Sequence, residues 1–280
     1  MLAALSRARS SEAGISCLSK LPIGSVEVLQ FANLVLVYVA VTMAGARLAY
    51  FARARSRRID STTDATSGLS QAVVRTIARY REVRSADRHY VAYKLRWDPI
   101  TRVVHDLPVD WGSVLDVGCG RGQLGLLLLE LGRVRVLRGF DWDKDKIETA
   151  RLAAGGAALF ELGDLANAEL APCDTVLAID VLHYVSYDTQ RELLRQVRTR
   201  LVPGGTLVVR DVDARPTFGS RLTQWFEVIG TRLGINRGRQ MYFLSSAELQ
   251  KELRQLGFAV TDVIAMPGLT FDNVLVVAHA

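Results

Sequence analysis

Residues 115–122 read Leu-Asp-Val-Gly-Cys-Gly-Arg-Gly, and this stretch decides the fold. The residues from Ser113 to Val117 predict a short β-strand, and those from Gly122 to Leu131 predict a helix. Glycines at alternate positions let the backbone turn tightly and approach a ligand closely, and the following helix presents its amino terminus there. The stretch therefore predicts a ligand-binding loop between a strand and a helix.

Strands and helices alternate along the chain after this loop. Further strands are predicted at 134–141, 157–161, 174–180, 206–211, 259–265 and 273–278, and helices at 144–154, 189–201 and 245–256. Such alternation is typical of a parallel sheet covered on both faces, and the last two strands suggest an antiparallel finish. We predict an α/β fold: a Rossmann-like, doubly wound, mostly parallel seven-stranded sheet with an antiparallel last strand, preceded by N-terminal helices.

The glycine loop alone fits two cofactor classes. Residues 120–125 also match the dinucleotide fingerprint G-x-G-x-x-G, which would indicate an NAD(P)-dependent oxidoreductase. In the dinucleotide class and in the second cofactor class alike, an acid is expected at the end of the second strand, where Asp141 lies. A carboxylate there accepts hydrogen bonds from the ribose hydroxyls of the cofactor. The choice between them depends on the residues around the loop.

Five segments in order make this choice. They are the acid and glycines at Asp116, Gly118, Gly120 and Gly122; the strand end at Asp141 and Trp142; Gly163, Asp164 and Leu165; the strand end at 180–184; and the turn at 201–207. In these segments the chain, from about Val114 to its carboxyl terminus, resembles the class I S-adenosylmethionine-dependent methyltransferases. The resemblance implies a methyltransferase whose cofactor is S-adenosylmethionine.

The resemblance also implies which residues bind this cofactor. Asp141 would accept hydrogen bonds from the ribose, and Trp142 would pack on the adenine. Asp164 with Leu165 would form the adenine-reading pair, and Asp180 would lie at the substrate-facing end of the fourth strand. The full set of predicted cofactor-binding residues is Asp116, Gly118, Gly120, Gly122, Asp141, Trp142, Asp164, Leu165 and Asp180.

The candidate catalytic residues are His183 and Tyr184, which follow the fourth strand. An imidazole has a pKa suited to removing a proton from a hydroxyl acceptor, although His183 can equally cap a helix or line the pocket. Asp211 and Asp213 lack a convincing third ligand, so we predict no metal. The Asn/Asp-Pro-Pro-aromatic motif of nucleic-acid and protein-amide methylating members is absent from the end of the fourth strand.

Two aromatic segments are predicted to shape the acceptor pocket. One is the helical stretch 90–97, and the other is an insertion at 214–244 after the fifth parallel strand. Their aromatic side chains suit a hydrophobic or lipid-like small molecule, although packing on the sheet edge would explain them as well. A non-catalytic, membrane-tethered S-adenosylmethionine-binding module remains an alternative to the enzyme.

The net charge of +6 is concentrated near the amino terminus. Residues 1–60 hold eight basic and three acidic residues, whereas the remainder holds 27 basic and 26 acidic residues. A nearly neutral catalytic part argues against a nucleic-acid substrate. The three scattered cysteines lack metal or disulfide spacing and fit a reducing compartment.

Residues 28–46 are almost entirely apolar and are followed by five arginines up to residue 58. This pattern predicts a membrane anchor, spanning or interfacial, with the catalytic part on the cytoplasmic face. A buried helix or an unstructured leader of a cytoplasmic protein are the alternatives. We divide the chain into an N-terminal segment (1–60), a linker with helices over the cleft (61–112) and the methyltransferase domain (113–280).

Overall fold

The computed structural model describes residues 68–165, 170–214, 241–266 and 272–280. The helices are α1 (Gly68–Arg79), α2 (Ser85–Trp97), α3 (Ile100–Asp106), α4 (Gln123–Glu130), α5 (Lys144–Ala154), α6 (Tyr187–Arg200) and α7 (Ser246–Gln255). The strands are β1 (Gly112–Val117), β2 (Val134–Asp141), β3 (Leu159–Leu162), β4 (Cys173–Ile179), β5 (Leu201–Val212), β6 (Ala259–Met266) and β7 (Asn273–His279).

Two predictions from the sequence fall outside these ranges. They are the apolar segment 28–46 and the greater part of the insertion, residues 215–240. Within the described ranges, none of the helices has both the length and the apolar content that crossing a membrane requires.

The seven strands form one sheet in the order β3-β2-β1-β4-β5-β7-β6. Strands β1 to β5 pair in parallel, and β7 runs antiparallel to both of its neighbours, β5 and β6. The predicted α/β fold with an antiparallel last strand is therefore confirmed. Because β1 lies between β2 and β4, the chain reverses its direction of winding there, which opens a crevice at the carboxyl ends of β1 and β4.

Two predicted boundaries were wrong. The helical spacing of apolar residues through 71–86 predicts one helix there, but α1 ends at Arg79, because Tyr80 is fully buried and its hydroxyl donates to the Arg121 carbonyl oxygen at 2.7 Å. This contact fixes a turn before α2. Strand β5 begins at Leu201 and not at Thr206, since Leu201 already pairs with Cys173, and the register shifts before Thr206 pairs with Thr175.

Helices cover both faces of the sheet. Strand side chains alternate between the faces, so Val114 and Val208 pack with the layer of α1–α5, whereas Leu115 and Val209 pack with α6 and α7. The N-terminal helices α1–α3 thus belong to the same apolar core as α4 and α5. Their burial brings α2 close to the carboxyl-terminal edge of the sheet, where the loop after β1 lies.

The first half of α2 is fastened to the loop after β1 through Arg121. The Arg121 guanidinium lies 2.6 Å from the buried Asp87 carboxylate and stacks over the Tyr90 ring at 4.5 Å from its centroid. Burial raises the pKa of Asp87, but the hydrogen bond and charge of Arg121, with those of Arg84, lower it overall. One loop residue therefore holds α2 by an ion pair and a cation–π contact.

The end of α2 is fastened to β4 and β5 through Arg210. This guanidinium is only 3% exposed and binds two carboxylates, those of Asp98 (2.7 and 3.2 Å) and Asp180 (2.8 Å from Nε). Lys94 reaches Asp98 as well, at 2.7 Å. Burial raises the pKa of Asp98, but Arg210 and Lys94 outweigh burial and hold it well below its usual value. A buried cation thus joins three elements.

We expect Arg210→Met to lower the free energy of unfolding by about 3–5 kcal/mol, because it leaves two carboxylates without their buried partner. Urea denaturation followed by circular dichroism measures this change. The depressed pKa of Asp98 contributes stability above its unfolded value of about 3.9, and that contribution is lost as the pH falls below it. Below about pH 3.9, the free energy of unfolding of Arg210→Met should therefore change less with pH than that of the wild type.

The matched control is Arg191→Met, which removes an arginine that pairs with Glu252 through two hydrogen bonds while 60% exposed. Solvent screens such a pair, so its loss should change the stability far less. Equal losses in the two variants would show that Arg210 is not a structural centre.

Candidate active site

The loop after β1 turns on glycines with positive φ, of which Gly122 (+74°) and Gly120 (+55°) differ in surroundings. A Cβ atom on Gly122 would lie 2.6 Å from the Phe160 ring, so this position is closed by packing. A Cβ atom on Gly120 would meet no atom within 4 Å. Of these two glycines, only Gly120 borders open space, where a ligand can lie against the backbone.

Asp141 connects the end of β2 to this loop. Its carboxylate accepts hydrogen bonds from the backbone N–H groups of Gly120 and Asp143, both at 2.9 Å, and the residue is buried. Each carboxylate oxygen keeps a further lone pair for a ligand hydroxyl. The structure thus brings the candidate residues Asp141 and Gly120 together, and the ribose contact of Asp141 stays a prediction.

Asp116 lies beneath the loop and is only 4% exposed. Burial, reinforced by the charge of Asp141, raises its pKa to about 7. Burial raises the pKa of Tyr80 and of Cys119, and the charge of Asp116 adds to both shifts, which places its carboxylate close to both side chains. A cation bound at this edge would favour the ionised form of Asp116, so the two carboxylates create a site suited to positive charge.

The remaining predicted cofactor residues lie at the ends of β2 and β3. Trp142 is 47% exposed, and the Lys146 ammonium lies 5.5 Å from its ring centroid. The Gly163 N–H donates to the Asp141 carbonyl oxygen at 3.1 Å, which brings the segment after β3 beside β2. Asp164 is exposed, whereas Leu165 is buried in the core under α6. Their roles toward adenine stay predictions.

Asp180 marks the end of β4 and is in a strained conformation. Among the described residues it is the only non-glycine with a positive φ (+56°). Its N–H donates to the Arg210 carbonyl oxygen at 2.8 Å, and its carboxylate binds the Arg210 guanidinium. The conformation costs roughly 1–2 kcal/mol, which these bonds offset. Asp180 is thus held at the cleft with about a third of its side chain exposed.

His183 is held by Asp211, which lies near the end of β5. The side chain of Asp211 points to the face of the sheet opposite to that of Arg210. The imidazole Nδ1 lies 2.5 Å from one Asp211 carboxylate oxygen. The backbone N–H of His183 donates to the other oxygen at 3.1 Å. Phe243 stacks on the ring with centroids 5.2 Å apart. Since a carboxylate only accepts, we assign the hydrogen to Nδ1, which leaves Nε2 as the basic nitrogen.

Tyr184 lies next to His183 and faces the other side chains of the cleft. Burial raises its pKa first, followed by the charge of Asp180 and by smaller contributions from Tyr90, Asp211 and Asp141. These groups belong to α2 and to the ends of β2, β4 and β5. The structure therefore gathers the predicted residues Asp141, Asp180, His183 and Tyr184 at one edge of the sheet.

Sequence reasoning missed two functional relationships. Asp98 accepts a hydrogen bond from the Ile100 backbone N–H at the start of α3, and it also binds Arg210. Asp211 was considered only as a metal ligand, yet it binds His183. The available signal was a pair of adjacent charged residues, 210 and 211, at the end of an otherwise apolar strand. Alternation sends these two side chains to opposite faces.

Comparison with known proteins gives a consistent result. The model of a protein family described as "Methyltransferase domain" matches residues 87–263. Carboxy-S-adenosyl-L-methionine synthase of Trichodesmium erythraeum (strain IMS101) is 25% identical over 205 residues, covering 67% of this chain and 76% of that protein. Trans-aconitate 2-methyltransferase of Streptomyces coelicolor is 30% identical over 113 residues, covering 38% and 37%.

Solved structures show the same fold. The S-adenosylmethionine-dependent methyltransferase of Mesorhizobium loti superposes with a TM-score of 0.52 at 22% identity, over 65% of this chain and 97% of that one. These findings do not favour the oxidoreductase alternative. The family match extends over more than half of the chain and includes the loop, Asp141 and the β4 end. The chain therefore belongs to the class I S-adenosylmethionine-dependent methyltransferases, and S-adenosylmethionine is its cofactor.

Proposed function

We propose that this methyltransferase methylates a hydroxyl group of a hydrophobic or lipid-like small molecule. The observation that carries the proposal is a set of exposed aromatic side chains around the carboxyl ends of β2 and β4. Their exposed fractions range from 39% to 51%, for Tyr90, Trp142, Tyr184 and Tyr187. Aromatic surface of this extent beside a cleft is typical of a site that binds an apolar ligand.

The acidic edge of the cleft supports the binding of a cationic cofactor. Bound S-adenosylmethionine supplies an electrophilic methyl group on a sulfonium and a thioether leaving group. Asp141 and the open backbone at Gly120 would hold its ribose and neighbouring atoms. The carboxylates of Asp116 and Asp141 would favour its positive charges over an uncharged ligand, whereas the charge of Asp180 is already balanced by Arg210.

The pair of His183 and Asp211 supports a protic acceptor. With Nδ1 bonded to Asp211, Nε2 would accept the hydroxyl proton, and Asp211 would stabilise the imidazolium that forms. The ring is fixed by Phe243, so this nitrogen keeps one direction. Tyr184 would help to exclude water from the acceptor.

Residues 28–46 and the arginines that follow them support a further part of the proposal. They would hold the chain at the cytoplasmic face of a membrane, close to apolar acceptors. A chain in the cytoplasm with a dissolved apolar substrate is the alternative.

The acceptor class can be tested with radiolabelled S-adenosylmethionine and cell metabolites divided into an organic-solvent fraction and an aqueous fraction. Label should pass to the organic fraction, with stoichiometric formation of S-adenosylhomocysteine. Transfer only to aqueous metabolites would refute the hydrophobic acceptor. Cofactor binding without transfer to any fraction would favour a non-catalytic binding module.

We expect Gly120→Ala to weaken the binding of S-adenosylhomocysteine about tenfold or more, because its methyl group occupies the open space beside the loop. Isothermal titration calorimetry measures this change. The matched control is Gly155→Ala at the end of α5, where φ is +54° and a Cβ atom also meets no atom within 4 Å. The control carries the same backbone strain, so wild-type binding in both variants would contradict our assignment of the loop.

We expect His183→Gln to lower kcat by about 10²–10⁴-fold through loss of the base, with little change in S-adenosylhomocysteine binding. Asp211→Asn should also lower kcat and alter its dependence on pH, since the amide cannot stabilise the imidazolium. His279→Gln on β7 is the control for a histidine remote from the cleft. An unchanged kcat in His183→Gln would exclude this residue as the base.

The anchor is tested by cell fractionation of the full chain and of a chain that begins at Ser61. We expect the full chain to sediment with membranes, because residues 28–46 are apolar enough to partition into lipid. The shorter chain should shift toward the soluble fraction. The same distribution for both would show that the segment is not an anchor.

A further inference from the structure

Helix α2 presents three faces with different surroundings. At about 100° per residue, Val91 and Leu95 fall on one face, and both are buried in the core. Tyr90 and Lys94 fall on a second face, where they contact Arg121 and Asp98 at the cleft. The third face points to solvent. We call it the outer face of α2, and it consists of His89, Tyr93, Arg96 and Trp97.

The composition of the outer face is unusual for a helix surface in contact with water. Tyr93 is 58% exposed and Trp97 is 50% exposed, although each has a large apolar ring. His89 and Arg96 beside them are also exposed. Tyrosine and tryptophan prefer the boundary between lipid tails and headgroups, where the ring is buried and the polar atom stays hydrated.

Positive charge is concentrated on the same helices. Between Arg75 and Arg102 the chain has eight basic and three acidic residues, whereas the other residues from 61 onward have 19 basic and 23 acidic residues. Arg75, Arg79, Arg84 and Lys94 pair with carboxylates away from the outer face. The charge on the outer face itself is that of the exposed Arg96, and none of the four residues of this face is acidic. Such a surface is attracted to anionic headgroups.

We propose that the outer face of α2 docks on the surface of an anionic lipid bilayer. Tyr93 and Trp97 enter the headgroup region, and Arg96 contacts lipid phosphates. Because Tyr90 lies on the adjacent face of the same helix, docking brings the cleft beside the bilayer. Only the position of the cleft beside the bilayer rests for its meaning on the proposed lipid-like acceptor. The docking of the outer face does not depend on methyl transfer.

Sedimentation of the full chain with vesicles tests whether Arg96 on the outer face is attracted to anionic lipid. Vesicles of phosphatidylcholine alone are compared with vesicles that also contain phosphatidylglycerol. Arg96→Glu should weaken binding to the anionic vesicles about tenfold, because it replaces an attraction with a repulsion near the surface. Arg200→Glu at the exposed end of α6 is the control with the same change in net charge, and it should bind more nearly like the wild type.

Tyr93→Ser with Trp97→Ser should also weaken vesicle binding, whereas Leu152→Ser, at a residue 62% exposed on α5, should not. Bromine-labelled lipids provide a reading specific to α2 even if residues 28–46 also anchor the chain. Brominated lipid should quench the tryptophan fluorescence of the wild type. This quenching should be reduced more in Trp97→Phe than in Trp142→Phe. Circular dichroism verifies that each variant is folded.

Two results would overturn the docking. One is no loss of quenching in Trp97→Phe, and the other is equal tryptophan quenching with neutral and anionic vesicles. Both results report on α2 itself, because an anchor at residues 28–46 would hold the wild type and the variants on either kind of vesicle. If the outer face instead joins two copies of the chain, the variants would change the molar mass in solution without changing vesicle binding. Methyl transfer to an apolar acceptor in detergent, without vesicle binding, would refute docking and leave the proposed function intact.

Discussion

The burial of Arg210 is the constraint on which the cleft depends. A guanidinium that is almost fully removed from water needs anionic partners, because an unpaired buried cation is far more costly than a paired one. Its two partners come from different places in the chain: Asp98 follows α2, and Asp180 ends β4. Neutralising one cation therefore fixes the N-terminal helices against the centre of the sheet.

Arg210 and Asp211, which are neighbours near the end of β5, bind groups on opposite faces of the sheet. Neighbouring side chains of a strand point to opposite faces, so Arg210 reaches the layer of α1–α5 while Asp211 reaches His183 on the other side. The strain at Asp180 fits the same arrangement, since its backbone and its carboxylate both bond to Arg210. The position of His183 thus depends on the strand that also holds α2.

The sequence predicts the fold well because each element carries its own signal. Alternating strands and helices, the glycine loop and the turn at residues 201–207 are local patterns, and they lead to the observed sheet. The partners of Arg210 and His183 have no such signal, because they lie 112 and 28 residues away from them in the chain. The turn at Tyr80 was missed for the same reason, since its partner Arg121 belongs to the later glycine loop.

The acids beside the glycine loop bear on which of the two cofactors that match its sequence the loop would hold. In a dinucleotide site, the loop N–H groups and the helix amino terminus face a pyrophosphate. Here the Gly120 N–H already donates to Asp141, and Asp116 lies buried beneath the same loop. The acid at Asp141 fits either cofactor, but the charge of Asp116 would disfavour a pyrophosphate beside the loop and would favour a sulfonium or ammonium group. The glycines would allow close approach of either cofactor, so the preference for a cationic one rests on the charge beneath the loop.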